Sequence, residues 1–301
     1  MNIYLQPDAC RYGKGKVKLS MLQFSKITGF ADEISDDLKI QVRLLKKLGM
    51  NYLEFRSAGG KNVADFSKTE IKELKSYLDS EGIEVSAIGS PIGKISVTDD
   101  FKEHAECFKR IIETAHILQT PNIRIFSFYI PENSIAANYK NEVIERLGQL
   151  KEKGKRSEVI LLHENEKGIY GDTALRCKDI MESLYDKNFK AVFDFANFVQ
   201  CKEDTLKAYE LLKGYISYIH IKDAVKETGE VKKAGDGDGN IKAILKEVDL
   251  AGYQGFLSLE PHLADFSGFK QLEKDDGRFT MSNNELAFAT AHEALMNILN
   301  N

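Results

Sequence analysis

The run Tyr215-Ile-Ser-Tyr-Ile-His-Ile221 reads as a strand that is buried on both faces. Its isoleucines and tyrosines suit a pleated surface, and it does not alternate cleanly between apolar and polar residues. Such a strand needs neighbours on both edges and helices over its faces. A Gly-rich loop and a helical pattern near 240–251 follow it. Working back, Ala191-Val-Phe-Asp194 precedes a helix near 203–213, and Val159-Ile-Leu-Leu-His-Glu164 precedes one near 173–186. Working forward, Phe256-Leu-Ser-Leu-Glu260 leads through a long loop to a terminal helix near 284–299.

The first half repeats the unit. Ile27-Thr-Gly-Phe-Ala31 is followed by Leu38, Val42, Leu45 and Leu48 on one helical face, closed by Gly49. Tyr52–Phe55 precedes a helix around Ile71, Leu74 and Leu78 that ends at Gly82. Ile83–Ile88 precedes a long helix from Phe101 to Leu118. Ile123–Phe126, after Pro121, precedes a helix over 134–153. Alternating strands and helices predict a parallel sheet covered by helices, and an open doubly wound sheet would satisfy the same alternation. The count of eight, with no G-x-G-x-x-G after the first strand, favours closure. The expected fold is therefore α/β, a single (β/α)8 TIM barrel over residues 25–301, with residues 1–24 as an N-terminal extension.

Composition sets outer bounds. At 301 residues, 43% hydrophobic and 29% charged, the chain can bury a large core without disulfide staples. A net charge of −4 argues against a strongly basic nucleic-acid surface. Cys10, Cys107, Cys177 and Cys201 lie far apart, as free thiols of a reducing cytoplasm do. No apolar run reaches the ~18 residues of a membrane span, and the first twenty residues lack a signal-peptide core. A cytoplasmic protein with no membrane or nucleic-acid partner is the expectation.

In a barrel of this kind the site lies at the carboxyl ends of the strands. Strands five to eight end in Glu164, Asp194, His220 and Glu260. Taken singly, a carboxylate there is solvated or caps the next helix, and a lone histidine is a hydrogen-bonded structural residue. Four on successive strands converge on one small volume. Three carboxylates so packed repel one another unless a cation neutralises them. Three oxygens and one imidazole suit Mn²⁺, Co²⁺, Mg²⁺ or Zn²⁺, so one divalent metal ion is the expected cofactor.

In their contexts HENE, FDFAN, YIHIKD and LSLEPH, these residues resemble the xylose isomerase-like barrel superfamily. That superfamily includes ketose 3-epimerases, inosose isomerases and dehydratases, hydroxypyruvate isomerase and a DNA-repair endonuclease. The resemblance spans roughly residues 25–300 and is sharpest in the second half. It implies that Glu164 and Glu260 bind the metal and also carry the proton on opposite faces of a substrate carbon. The DNA-repair branch has further histidines, one of them three residues after the aspartate. Asn197 stands there in this chain, and only six histidines are present, which argues against a nuclease.

Side chains alternate along a strand, so Lys222, Glu166 and His262 should follow His220, Glu164 and Glu260 into the barrel mouth. With Asn197 they form the expected substrate-binding set. His163 points the other way and reads as structural. Glu54 and Arg56 share a face and read as a buried ion pair, and Asp32 and Glu33 as loop and helix-capping residues. Gly235-Asp-Gly-Asp-Gly-Asn240 fails as a calcium loop because Ile241 stands where the sharp turn needs glycine. It reads instead as a loop that could cradle phosphate or substrate hydroxyls. The leading expectation is a metal-dependent isomerase or epimerase of a ketose, inosose or polyol, phosphorylated or not. The alternatives are an inosose-type dehydratase and a non-catalytic sugar-binding barrel. The long loop 261–281 offers a surface for a homo-oligomer.

Overall fold

Buried backbone N–H and C=O groups must bond to one another, and the computed structural model satisfies them by bending the sheet nearly into a closed ring. Residues 26–263 and 282–301 are described. The expected extension over 1–24, Cys10, and most of the 261–281 loop lie outside them. The barrel strands are β1 (Ile27–Gly29), β2 (Tyr52–Phe55), β3 (Glu84–Gly89), β4 (Asn122–Ile125), β5 (Ile160–Glu164), β6 (Phe189–Asp194), β7 (Ile216–Ile221) and β8 (Phe256–Leu259). They form one sheet in the order β1-β8-β7-β6-β5-β4-β3-β2, each adjacent pair parallel. A single parallel bridge between Phe30 and Glu54 joins the two end strands.

The helices are α1 (Leu38–Lys47), α2 (Lys68–Glu81), α3 (Phe101–Ile117), α4 (Lys140–Arg156), α5 (Ala174–Leu184), α6 (Phe195–Gln200), α7 (Thr205–Leu212), α8 (Ile241–Leu250) and α9 (Asn283–Asn300). Their ends follow local rules. Ser67 and Glu70 form a capping box on α2, and Gly82 closes that helix at φ 73°. Ser282 and Glu285 form a second box on α9, and Arg43 on α1 holds Glu285 at 2.9 Å. No helix among the described residues is long and apolar enough to cross a membrane.

Most of the core lies between sheet and helices. Inside the ring, a small apolar plug of Ala87, Leu162, Val192 and Tyr218 fills the floor. A buried polar chain runs beside it: the Ser86 hydroxyl lies 2.8 Å from Thr28 Oγ1 and 2.9 Å from Tyr218 Oη. The next inward position along β5, β6, β7 and β8 belongs to Glu164, Asp194, His220 and Glu260. The floor is therefore dry and the mouth polar.

Two small hairpins (Ser57–Ala58 with Lys61–Asn62, and Asp223–Ala224 with Val231–Lys232) and the six-residue α6 interrupt the simple alternation. Sequence periodicity does not reveal them, because each is too short for a period to repeat. Between β3 and α3, the chain turns through Gly93 at φ +92°, and its carbonyl accepts the Phe128 amide at 3.0 Å. A Cβ there would lie 2.0 Å from the Phe126 carbonyl oxygen. Gly93→Ala should therefore lower stability by about 3 kcal/mol or more, read as a fall in the urea midpoint. Gly60 has a similar φ of +71° but open space around it, so Gly60→Ala should cost only about 1 kcal/mol.

Candidate functional site

The barrel brings one ligand atom each from Glu164, Asp194, His220 and Glu260 to within 4.8 Å of one another, and all four residues are buried. His220 Nδ1 faces Glu164 Oε1 at 2.9 Å, Glu260 Oε2 at 3.4 Å and Asp194 Oδ2 at 3.9 Å. The register explains this, since Asp194 and His220 are Cα partners on β6 and β7, and His220 is the partner of Ser258 on β8.

Each acid divides its two oxygens. Asp194 Oδ1 accepts the Asn197 amide at 2.7 Å, so Asp194 ends a strand and caps α6 at once. Its Oδ2 faces the Lys222 ammonium at 3.1 Å without an aligned hydrogen bond. Glu164 Oε2 accepts from Arg124 Nη1 at 3.0 Å, leaving Oε1 for the centre. Glu260 Oε2 accepts from Lys222 at 3.1 Å, and Oε1 lies 3.0 Å from His262 Nε2. Asn165 fixes the Asp194 backbone from both sides, accepting its amide at 2.9 Å and donating to its carbonyl at 3.0 Å.

Above this centre opens a cavity of about 300 Å³, large enough for a small polar ligand. Glu260 is the member of the quartet that lines it, while Glu164, Asp194 and His220 lie beneath. Lys222, Glu166, His262 and Asn197 all line it as well. Asn197 donates to the Asn165 carbonyl at 2.9 Å and reaches Glu164 Oε1 at 3.4 Å. Glu166 lies 3.4 Å from Lys94 on the rim, and His262 is 47% exposed.

The charges bias one another strongly. Burial alone would raise Glu164, but His220 and Arg124 outweigh it and hold the carboxyl at about 2. Burial, aided by Glu260 and Glu164 against Lys222, pushes Asp194 up to about 7. Burial would depress His220, yet Glu164 and Glu54 raise it well above the ordinary range. Lys222 is raised by Asp194 and Glu260 in spite of burial. Glu260 is held well below the usual carboxylate range because Lys222, His220 and His262 overcome burial. The donor set fits a hard or borderline divalent cation: three carboxylates, one imidazole and an unaligned Asp194 Oδ2 in a water-poor volume.

Several local expectations need correcting. Glu54 and Arg56 do not pair. Arg56 reaches Asp32 through two bonds of 2.8 and 3.1 Å, and Glu33 and Glu260 at 3.4 Å each. Asp32 and Glu33 therefore hold Arg56, which lines the cavity, rather than capping a helix, because β1 and β2 meet where the barrel closes. Lys222 pairs with Asp194 and Glu260. The Gly-rich loop is not a phosphate cradle. The amides of Gly235, Gly237 and Gly239 donate to the Asp223 carboxylate at 2.9, 3.1 and 2.9 Å. The anion that the loop suits comes from the chain itself. Arg124 and Lys94 were missed, although two-residue alternation before Phe126 would have turned Arg124 inward.

The chain belongs to the xylose isomerase-like TIM barrel family, whose model matches residues 42–281. An uncharacterized protein of Methanocaldococcus jannaschii, MJ1311, is 25% identical over 206 residues, 64% of this chain and 70% of that one. Among solved structures, the fold is similar to the probable 3-DHS dehydratase AsbF of Bacillus anthracis, with a TM-score of 0.69, 16% identity and coverage of 90% of this chain and 99% of that one. A D-tagatose 3-epimerase-like protein gives a TM-score of 0.68 at 19% identity, over 90% of this chain and 99% of the other. The IolI protein with a bound zinc atom gives 0.69 at 18% identity, over 91% and 98%.

Behind the site, His163 faces outward from β5 and is 1% exposed, close under Gly171. Burial pushes its imidazole down to about 4, partly offset by Glu164. A folded value below the unfolded ~6.5 means that stability is full above that pH and is lost as pH falls from ~6.5 toward 4. Between pH 7 and pH 5, His163 should cost about 2 kcal/mol in urea unfolding, a loss that His163→Leu should not show.

Proposed function

We propose that this protein is a divalent-metal-dependent sugar isomerase or epimerase in which Glu164 and Glu260 transfer a proton through an enediolate. The observation that carries the reading is the buried cluster of Glu164, Asp194, His220 and Glu260 at the floor of a cavity of about 300 Å³. A divalent ion held by these four would supply a Lewis acid that draws charge from the carbonyl and neighbouring hydroxyl oxygens of a ketose, inosose or related polyol.

The protein's own groups do the rest. Glu260, at the cavity wall, takes the proton α to the carbonyl; Glu164, beneath the cavity, returns one to the same or the adjacent carbon. Lys222 keeps an ammonium beside Glu260, which favours the ionised base and stabilises negative charge developing on a substrate oxygen. Asn197, Glu166 and His262 present an amide, a carboxylate and an imidazole around the cavity to orient hydroxyls. The D-tagatose 3-epimerase-like and zinc-holding structural relatives are compatible with this chemistry.

One observation favours a second reading. Of the four, Glu260 opens on the cavity, and a single base with an ammonium at 3.1 Å suits β-elimination of a hydroxyl. The similarity to a probable dehydratase points the same way. Products of equal mass to the substrate support the isomerase, and a product lighter by one water supports the dehydratase.

Chelation should abolish turnover, and restoring Mn²⁺, Co²⁺, Mg²⁺ or Zn²⁺ should recover it. Glu260→Gln and Glu164→Gln should each lower kcat by 10²-fold or more, with deuterium exchange from ²H₂O into the sugar falling in parallel. Full turnover in either variant, or in metal-stripped protein, would sink the proposal.

A further inference from the structure

Glu54 is fully buried and stands on the far side of His220 from the three carboxylates. We infer that Glu54 is a positioning residue that fixes the His220 imidazole for metal ligation, an inference that rests on the metal reading above. An imidazole that offers one nitrogen to an ion must carry its proton on the other. Nδ1 is the nitrogen turned to Glu164, Glu260 and Asp194. Nε2 therefore carries the hydrogen and needs an acceptor in a place that water does not reach.

Glu54 Oε2 lies 3.2 Å from Nε2, and Nε2 makes no aligned hydrogen bond to any of the described residues. The separation is within hydrogen-bond reach, and the N–H is not aligned on the oxygen in this structure. The carboxylate itself is anchored. Ser258 Oγ donates to the same oxygen at 2.7 Å, and the His220 imidazole is the basic group among the described residues that lies against Glu54. Backbone geometry fixes its position too. A register shift between Leu53 and Glu54 turns β2 against β3, and Glu54 forms the bridge to Phe30 that joins the ends of the sheet.

The ring has little freedom to turn elsewhere. Phe30 meets it edge-on at 5.2 Å and 79°, and Tyr218 at 5.7 Å and 82°. With the plane held, the hydrogen bond to Glu54 selects the tautomer with a bare Nδ1 and raises its donor strength. Among the described residues no lysine or arginine lies against this buried carboxylate, so an Nε2–H donor polarised by an ion on Nδ1 would offset much of the cost of burying it.

The test is metal affinity of the full chain, measured with Zn²⁺ in competition with a chromophoric chelator and with the visible spectrum of bound Co²⁺. Glu54→Gln should weaken Zn²⁺ binding by about 10- to 100-fold and shift the Co²⁺ bands. The metal-free thermal midpoint should stay within a few degrees of wild type or rise, because a buried charge has been removed. If Glu54→Gln fails to fold, Ser258→Ala, which frees the anchored oxygen, should show the same spectral shift with a smaller loss of affinity. A folded Glu54→Gln, or failing that Ser258→Ala, with wild-type affinity and spectrum overturns the inference alone. Wild-type protein that binds neither ion overturns the metal reading and this inference together.

Discussion

Three carboxylates held within a few ångströms of one another, out of reach of bulk water, set the terms for the rest of this molecule. Like charges at that spacing and burial cannot persist without compensation. Arg124 lies against Glu164, Lys222 bridges Asp194 and Glu260, and His220 faces all three. Arg56 adds a fourth cation where Asp32, Glu33 and Glu260 converge. The protein's own cations balance part of the acidic charge at the barrel mouth, and the cavity opens above them.

The balance is achieved by splitting each acid between architecture and centre. One oxygen of Asp194 caps α6 while the other faces Lys222. One oxygen of Glu164 is tied to Arg124 and the other to His220. Such anchoring fixes the free oxygens in place around the centre. Asp223 follows the same logic away from the centre: its carboxylate gathers three glycine amides and so shapes the loop beside the mouth. An acid at the end of a strand is thus as much a structural device as a chemical one here.

Much of this was legible before any coordinates. The alternation of short apolar strands with amphipathic helices specified the barrel. The strand-end residues of β5, β6, β7 and β8 converge because all parallel strands deliver their carboxyl ends to one rim. Partnerships were less legible. Arg56 and Glu54 are two residues apart and share a face, so they read as a pair. In the fold each finds a better partner across the closure, Arg56 in Asp32 and Glu54 in His220 and Ser258. The Gly-rich loop reads as a cradle for phosphate or substrate hydroxyls, but its amides hold Asp223, twelve residues before Gly235. Arg124 was passed over inside an apolar strand, where its partner Glu164 is 40 residues distant.

The sequence by itself determined the period of the strands and helices, the parallel barrel, and the four side chains that end the last four strands. These are consequences of local propensity and of two-residue alternation, which act over a few residues. Only the tertiary structure decided which charge neutralises which, where the anion of the glycine loop comes from, and what stands behind His220. Those choices follow from closure. Ser258 and Glu54 are 204 residues apart and meet only because the first and last strands complete the ring. In a water-poor interior, a buried charge binds the nearest counter-charge in space, and distance along the chain gives no measure of that.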